Sequence, residues 1–151
     1  NSPPLADIYQ VLTRPFPPSM VELKPGAVTQ DKTRALALAY VDMRTYQARL
    51  DEVVGPDRWG VEYRTLGDRA VICRLTLLGV TREDVGEADA EDANAWTSAV
   101  AQAFKRACAG FGLGRFLYSL PRVWAAYSAE KKAIVNPAEV VRKMYQQAGI
   151  S

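Results

Sequence analysis

The 151 residues include no histidine. This removes the commonest general base and metal ligand, and with it every Ser-His or Cys-His nucleophile. Catalysis would have to rest on carboxylates or lysines. The densest carboxylate group, Asp84, Glu87, Asp89, Glu91 and Asp92, has the composition of a magnesium site for phosphodiester cleavage. No basic residue accompanies it in a recognised nuclease order. Carboxylates in that place also suit a solvated helix start, where the helix dipole favours negative charge. Gly110-Phe-Gly112-Leu-Gly114 has the glycine density of a phosphate loop. It lacks the Gly-Lys-Ser/Thr ending and follows a helix pattern instead of preceding one, so it reads as a C-cap that turns the chain. Cys73 and Cys108 form neither a disulfide framework nor a metal-ligand spacing and read as reduced, buried thiols. No metal, no cofactor and no enzymatic activity are expected.

Binding chemistry is better represented. Residues 99–112 read as an amphipathic helix stopped by a glycine, with Trp96, Val100, Ala103, Phe104, Ala107 and Phe111 on one buried stripe. Lys105 points nearly opposite that stripe and Arg106 lies on its flank. Two adjacent cations on a helix of small side chains can approach an anionic polymer closely; equally, they can simply solvate an outer face. Charge is uneven along the chain. Residues 101–151 hold eight Lys/Arg against Glu130 and Glu139, so the first hundred residues are net acidic within a total of +2. Such asymmetry suits a polyanion partner, although it also occurs in proteins that bind none. Trp59 and Trp96 fall at core periods and are expected to be buried. Trp124, in a connector, is the tryptophan expected at the surface, at a subunit contact.

These residues need elements to position them. A chain of this length with 48% apolar residues supports one folded domain, residues 1–151. No apolar run approaches the ~20 residues that span a bilayer, and no signal-peptide region opens the chain, so a cytoplasmic protein without membrane partners is expected. Leu5 to Leu12 predicts a short helix ended by Arg14-Pro15, and Pro25-Gly26 a turn. Ala35 to Tyr40 predicts a short strand, and Asp42 to Val54 a helix stopped by Gly55-Pro56. Trp59–Leu66 and Ala70–Leu78 alternate as strands around Gly67-Asp68, and a third strand covers Thr81 to Gly86. The acidic run 87–92 then meets the long helix. An aromatic connector through Trp124 and Tyr127 leads to a last helix capped by Asn136-Pro137. The expected fold is α+β: a three-stranded antiparallel β-meander packed against one long α-helix, a β-β-β-α core with flanking short helices.

The order of a helix, Val54-Gly-Pro-Asp-Arg-Trp59, a hairpin, Glu83-Asp-Val-Gly86, and a long helix with a late Lys105-Arg106 before Gly110-Phe-Gly112 resembles the Rad-fifty-two/Rad-twenty-two family of single-strand annealing proteins, in particular its bacterial branch. The resemblance runs from about Pro17 to Gly114. It implies sequence-indifferent single-stranded DNA binding in double-strand-break repair by a ring-like homo-oligomer, with a groove for the strand backbone. In the bacterial branch it implies protection of 3′ ends from exonucleases. Lys105 and Arg106 occupy the family's basic pair facing that groove. Pro18-Ser-Met-Val-Glu-Leu-Lys24 resembles the family segment whose cation lines the same groove, with Met20 in place of an aromatic and Lys24 in place of an arginine. Two departures follow from the residues. Ala109 stands where the family often has a further arginine, and the stretch 87–92 is acidic where the family is lysine-rich. These rank end protection ahead of annealing. The rivals are an annealing recombinase, a carboxylate-metal nuclease built on the acidic cluster, and a protein-interaction domain without DNA affinity. Arg115, Arg122 and the Lys131-Lys132 pair are the fallback DNA contacts.

Overall fold

Apolar and polar residues alternate along residues 59–66 and 70–77, and Gly67 and Gly79, both at positive φ, stand in the turns that follow them. The computed structural model describes residues 4–89 and 93–150. In chain order the elements are helix α1 (Leu5–Leu12), strands β1 (Glu22–Val28) and β2 (Arg34–Tyr40), helix α2 (Met43–Val53), strands β3 (Trp59–Leu66), β4 (Ala70–Leu77) and β5 (Val80–Glu87), helix α3 (Ala95–Gly110), strands β6 (Val123–Ser128) and β7 (Ala133–Ile134), and helix α4 (Pro137–Gln147). They fall into two compact units. One is Asn1–Arg14 with Met43–Arg115, and the other is Pro15–Asp42 with Phe116–Ser151. No helix among the described residues is long and apolar enough to cross a membrane.

The first unit holds an antiparallel sheet in the order β3-β4-β5. Leu78 and Gly79, both at positive φ, make the tight two-residue turn whose twist matches the flanking strands β4 and β5. Val71, Cys73, Leu75 and Leu77 alternate to one face of β4 and are buried. Across from them on β5 stand Gly86, Asp84, Arg82 and Val80 in register. Helix α3 covers this face with Ala99, Ala103, Phe104, Ala107 and Cys108. The Phe104 ring lies 6.2 Å from that of Trp59, and the Trp59 indole N–H donates to Asp51 Oδ1 at 2.9 Å. The far face of the sheet is solvated, with Arg64 bridging Glu83 and the hydroxyls of Thr76 and Thr81 2.8 Å apart. Small side chains let α3 lie close, and Gly86 makes the closest approach. A Cβ at that position would collide with the backbone of Ala99 and Ala103.

Both cysteines are free and buried. Burial, with the neighbouring charges of Asp84 and Glu83, pushes the Cys73 thiol up to about 12. Burial, then Cys73 beside it, raises Cys108 as well. Both stay protonated and poorly nucleophilic at neutral pH.

The expected long-helix stripe needs correction at its start. Trp96 is 47% exposed and Trp59 is half-buried, because the first turn of α3 precedes the helix's closest approach to β5 at Ala99. No acidic residue occupies that first turn. Of the acidic run, Glu91 and Asp92 lie outside the described residues.

The second unit corrects the expected architecture. A β-β-β-α core with only short flanking helices omits a second, four-stranded antiparallel sheet in the order β1-β2-β6-β7. Pro25-Gly26 does not turn the chain. It lies within β1, where Pro25 stands opposite Ala37 and the register shifts between Pro25 and Val28. An edge strand tolerates a proline at such an irregularity because no outer neighbour needs its missing N–H. The aromatic connector contains β6, whose Val123 to Ala126 pair with Ala37 to Arg34 of β2. Ala35, Ala37, Ala125 and Ile134 form the core of this unit. In the same unit Phe16, Phe116 and Tyr145 meet edge to face at 5.8 Å per step, and the Tyr145 hydroxyl donates to Phe16 O at 2.6 Å. Thus the molecule is α+β with two antiparallel sheets.

The close approach at Gly86 yields a direct prediction. Gly86→Ala overpacks a backbone-to-backbone seam and should destabilise the protein by about 3 kcal/mol, the upper end of overpacking costs. Gly60→Ala, where a Cβ meets nothing within 4 Å, should leave the denaturant midpoint nearly unchanged. Equal midpoints for the two variants would contradict the packing described.

Candidate nucleic-acid interface

Helix α3 carries the basic pair because its sequence leaves few other positions for large polar side chains. Its buried side is small and apolar, and Gln102, Lys105 and Arg106 supply the rest of the polar bulk in its second half. The structure sets Lys105 and Arg106 side by side on this helix, both half-buried. They are not equivalent. Arg106 Nη1 donates to Val85 O at 2.9 Å. One turn earlier, Gln102 Oε1 accepts from the Glu87 N–H at 2.7 Å. Because β5 is an edge strand, these two side chains occupy backbone groups that would otherwise be open to another strand. Arg106, on the flank of the buried stripe, is therefore a structural clasp between helix and sheet.

Lys24 belongs to the other unit. It is exposed on β1, with its Nζ 5.9 Å from the centroid of the Tyr40 ring. Arg122, Lys131 and Lys132 are exposed in that unit as well.

Helix α3 ends as its glycines require. Leu113 N–H donates to Cys108 O at 3.0 Å and Gly112 N–H to Ala109 O at 2.9 Å, with Gly112 at φ 92°. This is the paired closure that a left-handed glycine permits. Arg115 reinforces it, its Nε and Nη2 donating to Ala109 O at 2.9 Å and Gly110 O at 3.2 Å. A guanidinium there both satisfies the last carbonyls and offsets the negative end of the helix. Gly114, also at positive φ, lies against Tyr46, whose ring leaves no room for a Cβ. The glycine-rich stretch is thus a helix stop and not a phosphate loop.

Asp84 and Glu87, among the described members of the acidic cluster, do not share a face of β5. Asp84 accepts from the Val85 N–H at 2.8 Å. Glu87, an odd number of residues further along β5, projects to the opposite face of the sheet. Among the described residues no group of three or more Asp, Glu or Cys could hold a metal ion.

The model of the Rad52/22 family double-strand break repair protein matches residues 5–136. This chain belongs to that family. It is also similar to the single-stranded DNA-binding protein DdrA of Deinococcus deserti, 45% identical over 139 residues that cover 90% of this chain and 69% of that protein. The protein of the same name from Deinococcus radiodurans is 44% identical over 131 residues, covering 85% of this chain and 62% of that one. The chain thus spans roughly two thirds of the length of these relatives. The family expected from residue order is the family found, and its match crosses both structural units.

Within this Rad52/22 chain, Arg82 is a cation on the helix-facing side of β5 that motif and composition do not single out. In the sequence it stands merely as the residue before Glu83-Asp84, yet its guanidinium carbon sits 4.7 Å from the centroid of the Phe111 ring. Strand periodicity is the signal that could find it. With Leu75 opposite it and buried, position 82 has to face the helix.

The basic pair can be separated experimentally. Arg106→Ala removes a charge-assisted hydrogen bond from a half-buried carbonyl and should cost about 1–2 kcal/mol. Lys105→Ala leaves that bond in place and should cost less than Arg106→Ala. Urea denaturation of both variants checks this, and an Arg106→Ala protein as stable as wild type would refute the clasp.

Proposed function

We propose that this chain binds single-stranded DNA through its sugar-phosphate backbone, without sequence preference and without catalysis, and shields strand ends during double-strand-break repair. The observation that carries this reading is the 44–45% identity to two proteins named single-stranded DNA-binding, together with a basic pair on α3 in the family's position. Lys105 is the backbone contact, Arg106 supports it from its clasp on β5, and Lys24 is a second contact. Neutralising phosphates releases counterions and gives affinity that carries no sequence information. The 3′ end is the preferred end, and annealing of complementary strands ranks second because the stretch 87–92 is acidic.

We further propose that residues 1–151 act as one DNA-binding and oligomerisation domain, assembling into a ring-like homo-oligomer in the cytoplasm beside the nucleoid. The family match across both units supports the single domain. Exposed aromatics support assembly: Tyr118 is 73% and Trp124 49% exposed. Because Gln102 and Arg106 engage the β5 edge, sheet joining between subunits would use other edges.

Salt titration tests the reading. Affinity for mixed-sequence single strands of equal length should fall steeply with salt and differ little among sequences. Lys105→Ala should reduce the magnitude of the log-affinity against log-salt slope by about 0.7 for each phosphate that is no longer neutralised. A salt-insensitive affinity, or strong selection among sequences, would overturn it.

A further inference from the structure

At the C-terminal end of α3, a pocket of about 540 Å³ opens between that helix, β5 and α1. Leu5 and Tyr9 of α1 form one wall. Arg82, Phe111 and Arg115 form the others, and Gly110 leaves the helix side without a side chain. The pocket lies within the first unit. Its volume is in the range of small-ligand sites.

The chemistry of the walls is selective. Two guanidiniums line the pocket and no carboxylate does, so an anion is favoured there. Arg82 is stacked on Phe111 at 4.7 Å and donates no hydrogen bond to another described residue. A stacked guanidinium keeps its in-plane N–H donors for an oxyanion while its plane extends the aromatic layer beneath it. Arg115 commits Nε and Nη2 to the helix carbonyls, which cancels the negative helix end that would otherwise repel an anion. Tyr9, 43% exposed, offers a second aromatic surface. A flat ring and a phosphate on one ligand satisfy both features, and a nucleotide carries both.

Position supports the same ligand. Gln102, Arg106 and Gly110 follow one another at four-residue spacing on α3. Gln102 meets Glu87, Arg106 meets Val85, and the α-carbon of Gly110 is the one whose added Cβ would lie 3.5 Å from Arg82. The seam between α3 and β5 therefore runs from the basic pair directly to the pocket, about one helical turn beyond Arg106.

We propose that this pocket is a nucleotide subsite, in which a base stacks on the Arg82–Phe111 layer and against Tyr9 while Arg82 and Arg115 hold its phosphate. It rests on the single-strand reading above and adds a base contact to a backbone groove. Stacking of this kind tolerates any base, so it is compatible with sequence-indifferent binding.

The test measures binding of the full chain to a fluorescent oligothymidylate and to an abasic strand of equal length, with thymidine monophosphate as a third ligand. Wild type should prefer the base-bearing strand by at least about fivefold. Arg82→Ala should bring the preference close to one. Gly110→Gln, which fills the pocket without removing a charge, should do the same, so the proposal remains testable if either variant fails to fold by circular dichroism. Lys105→Ala should weaken both strands equally. Saturable binding of the monophosphate that Arg82→Ala abolishes would identify a free nucleotide as a ligand in its own right; binding of the strand alone assigns the site to the strand. If wild type binds strands but shows no base preference, or if folded Arg82→Ala and Gly110→Gln proteins keep it, the subsite is refuted while the single-strand reading stands. If wild type binds no strand, that reading fails, and the pocket survives only on Arg82-dependent binding of the monophosphate.

Discussion

The first unit depends on how closely α3 can approach β5, and Gly86 sets that distance. With no Cβ on the strand, and only Ala99 and Ala103 on the helix, backbone meets backbone. Interiors are packed too densely for such a seam to absorb an extra carbon without displacement. The close approach also fixes reach. Gln102 and Arg106 are near enough to bond the backbone of the edge strand, and Phe111 arrives under Arg82 at the far end of the seam. One glycine thereby sets the places of the clasp, of the basic pair and of the end pocket.

Several cations in this protein serve its structure, and their number alone is a poor guide to an interface. Arg49 Nη1 lies within 3.2 Å of three carbonyls, those of Val11, Leu12 and Arg14, and so ties down the end of α1. Arg34 donates to Trp124 O, Arg106 to Val85 O, and Arg115 to the last turn of α3. Arginine suits these roles because a planar fork of donors can satisfy several backbone oxygens from a partly desolvated place. The cations of the basic C-terminal third accordingly divide between the units: Lys105, Arg106 and Arg115 belong to one and the remaining five to the other.

Most of the first unit is legible in the sequence. Trp59–Leu66 and Ala70–Leu77 alternate strictly enough to identify strands, and Gly112 marks the helix stop. The second sheet is not legible, for two physical reasons. Pro25-Gly26 carries turn chemistry, yet an irregular edge strand accommodates both residues. Val123–Ser128 is short and rich in alanine and aromatics, and its identity as a strand comes from pairing with β2, nearly ninety residues away in sequence. Long-range pairing of that kind leaves no local signature. At the site, composition and order point to Lys105 and Arg106. They do not separate their roles, because Arg106 becomes a clasp only when the Val85 carbonyl is brought beside it. Arg82 is hidden for the same reason, since its partner Phe111 is distant in sequence.

The central claim is that a single strand is held on the face built by α3 and its seam with β5. Mass-spectrometric footprinting of lysine and arginine side chains, with and without a single-stranded oligonucleotide, addresses it residue by residue. The account predicts that Lys105 and Arg82 lose reactivity when the strand is bound, while Arg74, on the solvated face of the β3-β4-β5 sheet, and the exposed Lys131-Lys132 pair keep theirs. Unchanged labelling of Lys105 and Arg82 alongside protection of Lys131 and Lys132 would contradict it.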